Sequence, residues 1–127
     1  MSALSTETLS GVTAIIVEDN MLVADSTKIL LEALDARVPG MAGTVEKGLA
    51  LVRDCEFDVA ILDIDLRGRS VVPVVRAIEA VGKPFVFISG YGDAVVLPEE
   101  YRSAARLNKP IESTPLVAAI RSAIGSS

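Results

Sequence analysis

Short apolar runs alternate along the chain with longer stretches in which apolar and polar residues are mixed. The largely apolar runs are residues 12–17, 57–62, 85–88 and 105–108. Runs of this length, rich in β-branched and aromatic side chains, are typical of strands buried on both faces of a sheet. Residues 37–44 are a weaker candidate, because Pro39 and Gly40 favour an irregular strand or one near an edge. The pattern therefore predicts five strands.

The intervening stretches carry apolar residues at helical spacing. They are residues 21–36, 45–55, 71–81 and 113–124. The residues predicted to face inward are Leu22, Ile29, Leu30, Ala33 and Leu34 in the first stretch, Leu49 and Val52 in the second, and Leu116, Val117, Ile120 and Ile124 in the last. Pro98 interrupts the region before the fifth strand, so a fourth helix placed there should be short or irregular.

Five β–α units in succession predict a parallel sheet with helices on both faces. Right-handed crossovers favour a doubly wound, flavodoxin-like (βα)5 fold with strand order 2-1-3-4-5. We expect residues 12–127 to form this one domain, after a flexible N-terminal tail of residues 1–11. We expect no output domain, because the last predicted helix ends near Ile124.

Composition excludes several classes of function. The 127 residues include no histidine, which rules out Ser-His-Asp catalysis and histidine metal ligands, and the chain itself has no site for phosphohistidine. The single cysteine, Cys55, has acidic neighbours that disfavour a reactive thiolate. The net charge is −5 and basic residues are scattered, so nucleic acid is not an expected partner. No apolar run reaches the ~18 residues of a membrane span, and we expect a cytoplasmic protein.

A polar residue suited to metal or phosphate chemistry follows four of the five predicted strands. Glu18 and Asp19 follow the first, Asp63 the third, Ser89 the fourth and Lys109 the fifth. The carboxyl ends of parallel strands lie along one edge, where open α/β sheets bind ligands. Because the predicted order places strands one and three side by side, we expect the three carboxylates to converge.

Three neighbouring carboxylates must take up protons or bind a cation. Oxygen ligands favour Mg²⁺ or Ca²⁺, and a site with few carboxylates that also binds a phosphate is typical of Mg²⁺. The Asp63 carboxylate could then attack phosphorus and form an acyl phosphate. The Lys109 ammonium and the Ser89 hydroxyl would stabilise the phosphoryl oxygens. Each residue alone could be a solvated turn or a helix cap, but the ordered set at strand ends favours a site.

Four segments resemble the receiver domains of two-component response regulators. They are Val-Glu-Asp-Asn at 17–20, Ile-Leu-Asp-Ile-Asp-Leu at 61–66, Phe-Ile-Ser-Gly at 87–90 and Asn-Lys-Pro at 108–110. The resemblance covers residues 12–124 and implies a phosphoacceptor switch that turns over no separate substrate. It also implies a histidine kinase as the phosphodonor.

The resemblance implies a role for each candidate residue. Asp63 would accept the phosphoryl group, Ser89 would follow it and Lys109 would pair with it. The implied Mg²⁺ ligands are the carboxylates of Asp19 and Asp63, the backbone carbonyl of Asp65 and, through water, Glu18.

Residues 84–92 further resemble a subfamily of single-domain receivers, best known from alphaproteobacteria, that carry Phe-Ala-Thr-Gly and often a following Tyr. Ser89 replaces the Thr, and Arg106 stands where many receivers place a switching Tyr or Phe. The expected switch residues are therefore Ser89, Gly90, Tyr91 and Arg106. We expect residues 90–104 to be loosely ordered until Asp63 is phosphorylated, when Ser89 would draw Tyr91 along.

Other readings remain open from the sequence. The order of motifs also resembles that of haloacid-dehalogenase-like phosphatases, in the residues Asp63, Asp65, Ser89 and Lys109. In that case Asp63 would be the nucleophile and Asp65 the general acid. A flavodoxin-like electron carrier would need a phosphate-binding loop after the first strand, where this chain is acidic. If the chain is a receiver, we expect it to signal by binding an unknown downstream protein or to act as a phosphate sink. We expect a monomer or a weak dimer.

Overall fold

A five-stranded parallel sheet forms the centre of the protein in the computed structural model, which describes residues 8–90 and 97–125. The strands of the described residues are β1 Ala14–Val17, β2 Met41–Ala42, β3 Val59–Asp63, β4 Asp65–Leu66, β5 Arg69–Ser70, β6 Phe85–Ser89 and β7 Arg106–Asn108. The large sheet has the order β2-β1-β3-β6-β7, and β4 pairs with β5 in a separate antiparallel hairpin. The order of the parallel strands is 2-1-3-4-5, which confirms the predicted doubly wound fold.

Helices cover both faces of the sheet. Those of the described residues are α1 Met21–Ala33, α2 Val45–Asp54, α3 Val72–Ala80, α4 Ser113–Gly125 and a 3-10 helix at Glu99–Tyr101. Alternate residues of a strand point to opposite faces, so Ile15 packs with α2 and α3 whereas Ile16 packs with α1 and α4. Both layers bury aliphatic side chains, and this burial is the main stabilising contribution to the fold.

The inner face of α1 differs from the predicted one. Leu22 is 80% exposed and Ile29 is 66% exposed, whereas Ala24, Thr27 and Leu31 are buried against the sheet. Of the other residues predicted to face inward, Leu34 is buried and Leu30 packs against the core, whereas Ala33 is exposed. Apolar residues occupy more than one side of this helix, so spacing alone identified the inner face only in part. Thr27 is tolerated inside because its hydroxyl donates to the backbone carbonyl of Val23 at 2.9 Å.

Leu49 of α2 was also predicted to face inward, but it is 37% exposed, whereas Val52 is buried as predicted. α1 ends at Ala33, three residues before the predicted boundary, because Asp35 has a positive φ of 72° that no α-helix accommodates. Within the described residues, no helix is both long enough and apolar enough to cross a lipid bilayer.

The region around Pro98 contains the predicted short element. Pro98 precedes the 3-10 helix, whose last residue, Tyr101, is buried. The Tyr101 hydroxyl donates to Glu79 Oε1 at 2.8 Å, and its ring lies against Phe85 and Phe87. Tyr101 thus connects this segment to the core, and the expectation that residues 90–104 become ordered on phosphorylation stays a prediction. Residues 91–96, including the expected switch residue Tyr91, lie outside the described residues.

Part of the expected N-terminal tail lies within the described residues and contacts the domain. Leu9 is buried with the α1–α4 layer, and its backbone N–H donates to the carbonyl of Leu34 at 2.6 Å. Arg121 of α4 donates to the carbonyl of Thr8 at 2.7 Å. Of the expected tail of residues 1–11, residues 8–11 are therefore held on the domain, and residues 1–7 lie outside the described residues.

Candidate functional site

The polar residues at the strand ends lie together at the carboxyl edge of the sheet. Asp63 ends β3, Ser89 ends β6, and Lys109 directly follows β7. One carboxylate oxygen each from Glu18, Asp19 and Asp63 lies within 4.8 Å of the others. The convergence follows from the register, in which Val17 of β1 pairs with Leu62 of β3.

Lys109 bridges the two buried carboxylates of the site. Its Nζ lies 3.0 Å from Glu18 Oε1 and 3.2 Å from Asp63 Oδ2. Both carboxylates are almost completely shielded from solvent. The backbone N–H of Asn20 donates to Glu18 Oε2 at 3.1 Å, and that of Asp65 donates to Asp63 Oδ1 at 3.1 Å. The backbone after β1 and β3 therefore fixes the direction of each carboxylate.

Burial dominates the electrostatics of this cluster. It raises the pKa of Glu18 to about 7, and neighbouring Asp63 adds to the rise, while Lys109 and the Asn20 N–H oppose it. Burial also raises the pKa of Asp63, against the lowering effects of its hydrogen bonds and of Lys109. Burial would lower the pKa of Lys109, but the two carboxylates outweigh it and the net shift is upward. One ammonium thus faces two buried acids, and the cluster favours a proton or a further cation.

The donor set fits a hard divalent cation. All three side chains offer carboxylate oxygens, which are the ligands that Mg²⁺ and Ca²⁺ prefer. Glu18 Oε1 is buried and lies 3.0 Å from the Lys109 ammonium, which also faces Asp63. One ammonium shared between two buried carboxylates leaves the pair short of positive charge, and a bound cation would supply it. This acidic cluster is typical of the Mg²⁺ sites of receiver domains.

The β4–β5 hairpin forms one wall of the site and is not among the five strands predicted from the sequence. Arg67 and Gly68 both have positive φ, 57° and 83°, as a two-residue type I′ turn requires. The Gly68 N–H donates to Asp65 Oδ1 at 2.6 Å, so this carboxylate stabilises the turn. That engagement argues against the phosphatase reading, which needs Asp65 as a general acid.

Arg67 is a member of the site that sequence reasoning missed. Its Nε lies 3.4 Å from Asp19 Oδ2, and both residues line a cavity of about 270 Å³ together with Asp63 and Lys109. The available signal was its position four residues after Asp63, before the Gly68 that favours a turn. Its side chain is largely exposed, so the ion pair with Asp19 is a weak one.

Ser89 and Arg106, two of the expected switch residues, are in direct contact. Arg106 Nε donates to Ser89 Oγ at 3.2 Å, and Ser89 Oγ donates to Asn108 Oδ1 at 3.3 Å. Ser89 is buried, whereas Arg106 remains exposed along much of its length. Asn108 was not singled out from the sequence, although its place two residues after Arg106 on one strand was a usable signal.

An apolar groove borders the acidic cluster on the α1 side. It has a volume of about 410 Å³ and connects the exposed side of α1 to the loop that carries Lys109. Its lining residues are Leu22, Val23, Ser26, Thr27, Leu30, Lys109, Pro110 and Ile111. The exposed Leu22 that contradicted the predicted helix face therefore belongs to a surface beside the site.

Comparison with known proteins supports a receiver assignment. The chain is similar to SdrG from Sphingomonas melonis Fr1, with 35% identity, a TM-score of 0.74, and coverage of 91% of this chain and 94% of that one. It is similar to the signal receiver domain of a modulated diguanylate cyclase from Desulfovibrio desulfuricans G20, with 27% identity, a TM-score of 0.76, and coverage of 91% and 94%.

A response regulator receiver domain protein from Clostridium thermocellum shares the fold, with 24% identity, a TM-score of 0.74, and coverage of 91% and 95%. No protein-family model matches the chain, and no curated protein matches its sequence. Three observations point to the same family. They are the strand order, the acidic cluster at the carboxyl edge of the sheet, and the 35% identity to SdrG over almost the full length of both chains. The chain belongs to the response-regulator receiver domains.

Proposed function

We propose that this protein is a receiver of the single-domain type that accepts a phosphoryl group on Asp63 with the help of Mg²⁺. The observation that carries the proposal is the environment of Asp63, whose carboxylate ends β3 within 4.8 Å of two other acidic residues and 3.2 Å from the Lys109 ammonium. Receiver domains are usually phosphoacceptor switches and do not turn over a separate substrate. Two observations support the single-domain type: the similarity of residues 84–92 to single-domain receivers and the match to SdrG.

Asp63 is oriented for attack on phosphorus. Its Oδ1 accepts from the Asp65 N–H and its Oδ2 faces Lys109, so the side chain is fixed before a phosphodonor arrives. In the transfer, an Asp63 oxygen forms a bond to phosphorus, and the bond from phosphorus to the donor imidazole nitrogen breaks, with its electron pair leaving on the imidazole. The product is an aspartyl phosphate.

The surrounding residues would stabilise the charge that the phosphoryl group brings. Mg²⁺, when bound by Asp19, Asp63 and the Asp65 carbonyl with Glu18 acting through water, would neutralise negative charge on the carboxylates and the phosphoryl oxygens. Lys109 would move its ammonium from the Glu18–Asp63 pair to a phosphoryl oxygen. The Ser89 hydroxyl would supply a further hydrogen bond to that group.

The phosphodonor is proposed to be a histidine kinase, the usual partner of receiver domains. The 127 residues contain no histidine, so the phosphohistidine would lie outside this segment. The apolar groove between α1 and residues 109–111 is adjacent to Lys109, and a protein donor could contact it while presenting its imidazole to Asp63. The output would be binding of an unidentified downstream protein, or drainage of phosphate from a shared kinase.

Labelling with a small phosphodonor tests the function without the kinase. Wild type incubated with acetyl phosphate and Mg²⁺ should gain one phosphoryl group that is stable in acid and lost in base, as measured by intact mass. Asp63→Asn should gain none, and Asp25→Asn, which changes an exposed carboxylate on α1, should be labelled like wild type. Equal labelling of Asp63→Asn and wild type would refute the assignment, and continuous hydrolysis would favour the phosphatase reading.

A further inference from the structure

The Ser89 hydroxyl is held on the side of β6 that faces away from Asp63. β6 lies between β3, which carries Asp63, and β7, which carries both hydrogen-bond partners of the hydroxyl. Arg106 Nε donates to Ser89 Oγ at 3.2 Å, and Ser89 Oγ donates to Asn108 Oδ1 at 3.3 Å. Both bonds therefore draw the hydroxyl toward the far edge of the sheet.

The register explains why these two residues reach the same hydroxyl. Asn108 pairs with Ser89 across β6 and β7, and Arg106 pairs with Phe87. Residues two apart on a strand lie on one face, so the side chains of Arg106 and Asn108 emerge on the same side of β7. The same strand also positions Lys109, whose backbone N–H donates to the Ser89 carbonyl at 3.0 Å.

The Ser89 hydroxyl cannot donate to Asn108 and to a phosphoryl group at the same time. A serine hydroxyl carries one proton, and phosphoryl oxygens act as acceptors. Ser89 can donate to a phosphoryl group on Asp63 only after its bond to Asn108 has broken. The bond from Arg106 fixes the hydroxyl oxygen in place, so it opposes the same movement.

We infer that Arg106 is a positioning residue that, with Asn108, holds Ser89 away from Asp63 until phosphorylation releases it. We call the two hydrogen bonds to Ser89 Oγ the Ser89 latch. This inference rests on the proposed phosphorylation of Asp63. It adds that the Ser89 latch helps to set the equilibrium between the resting state and the state with a phosphoryl group bound. Part of the free energy of forming the phosphorylated state is used to open the latch, so weakening the latch strengthens binding of a phosphoryl group.

The test measures binding of beryllium trifluoride with Mg²⁺, a mimic of the phosphoryl group, by titration of amide chemical shifts. Arg106→Met removes the Nε donor and keeps an aliphatic stem, and the site is exposed, so the fold should be retained. We expect this variant to bind about two- to tenfold more tightly, the factor by which loss of one ordinary hydrogen bond shifts an equilibrium.

Two further variants separate the latch from a general structural effect. In the Ser89→Ala background, Arg106→Met should leave the affinity unchanged, because the hydroxyl that Arg106 restrains is absent. Arg102→Met is the matched control, since this exposed arginine donates through its Nε to the Leu97 carbonyl at 3.4 Å and is not part of the Ser89 latch. Its affinity should equal that of wild type.

Each outcome decides between the alternatives. Unchanged or weaker binding by Arg106→Met would overturn the inference, and weaker binding would show that Arg106 assists the phosphorylated state. An equal gain in the Ser89→Ala background would also overturn it, because Arg106 would then act independently of the hydroxyl. Failure of wild type to bind the mimic would overturn the proposed function itself, whereas the first two results leave that function intact.

Discussion

At the scale of single residues, the site depends on how Glu18, Asp63 and Lys109 share charge. Two buried carboxyls face one ammonium, and burial raises the pKa of Glu18 to about 7. Near neutral pH Glu18 is therefore partly protonated when no metal is bound. A divalent cation would displace this proton, so metal binding and proton release are coupled at this residue.

This coupling predicts how stability depends on pH without Mg²⁺. The pKa of Glu18 is higher in the folded protein than its ordinary value of 4.5, so the folded state binds the proton more tightly. The stabilisation from this group is complete below about pH 4.5 and is lost as the pH rises through about 7. The free energy of unfolding of wild type should therefore fall across this range, as measured by urea denaturation.

Glu18→Gln should flatten this dependence, because the amide does not titrate. Glu56→Gln, at an exposed position on another part of the surface, should keep the slope of wild type. Identical slopes for wild type and Glu18→Gln would contradict the raised pKa.

The identities of the site residues were predictable from the sequence, but their contacts were only partly so. Glu18, Asp63 and Lys109 follow recognisable strands, and parallel strands bring their carboxyl ends to one edge. The bond from Arg106 to Ser89 depends on the lateral register of β6 and β7 and on side-chain rotamers. No spacing along the chain encodes either feature.

At the scale of elements, the β4–β5 hairpin connects β3, which ends at Asp63, to α3 and carries two arginines. Arg67 faces Asp19 across the site at 3.4 Å, whereas Arg69 pairs with Glu46 of α2 at 2.9 Å. The hairpin thus places one cation beside the Asp19 carboxylate, where it would compete with a bound metal ion, and another away from the acidic cluster. Two-residue strands are too short to show a period of two, which is why the sequence did not predict the hairpin.

This difference predicts opposite results for the two arginines. Arg67→Gln should bind Mg²⁺ about two- to fivefold more tightly, because removing a weak surface ion pair frees the Asp19 carboxylate. Arg69→Gln should bind Mg²⁺ like wild type, and calorimetric titration of the metal measures both. If the two variants bind equally, Arg67 does not influence the metal site.

α1 shows where pattern analysis failed at this scale. Apolar residues lie on both sides of the helix, and the small side chains of Ala24 and Thr27 face the sheet, while Leu22 and Ile29 face outward. A helix with two apolar stripes does not reveal from its spacing which stripe packs inward. The outward stripe provides part of the groove beside the site.

At the scale of the whole molecule, one sheet supports both the fold and the site. Its middle strands are buried on both faces, which made them recognisable as continuous apolar runs, and the β–α alternation then specified the strand order. Burial outside the regular elements was less predictable. Leu9 packs with the α1–α4 layer from a polar N-terminal segment that has no periodic pattern.

Stability should follow burial in the sheet and not apolar character alone. Ile61 is fully buried at the centre of β3, so Ile61→Ala should lower the free energy of unfolding by about 2–5 kcal/mol. Leu22→Ala, at an exposed site on α1, should change it by less than about 0.5 kcal/mol. Urea denaturation measures both, and comparable losses would contradict the assigned inner face of α1.

The phosphorylation site itself can be identified chemically. Borohydride reduces an aspartyl phosphate to the corresponding alcohol, which makes homoserine at the labelled position, and peptide mass spectrometry then locates it. After labelling with acetyl phosphate and Mg²⁺, we expect homoserine at position 63 and at no other aspartate. Homoserine at another aspartate, or none in protein that carries the phosphoryl group, would contradict the assignment of Asp63 as the phosphoacceptor.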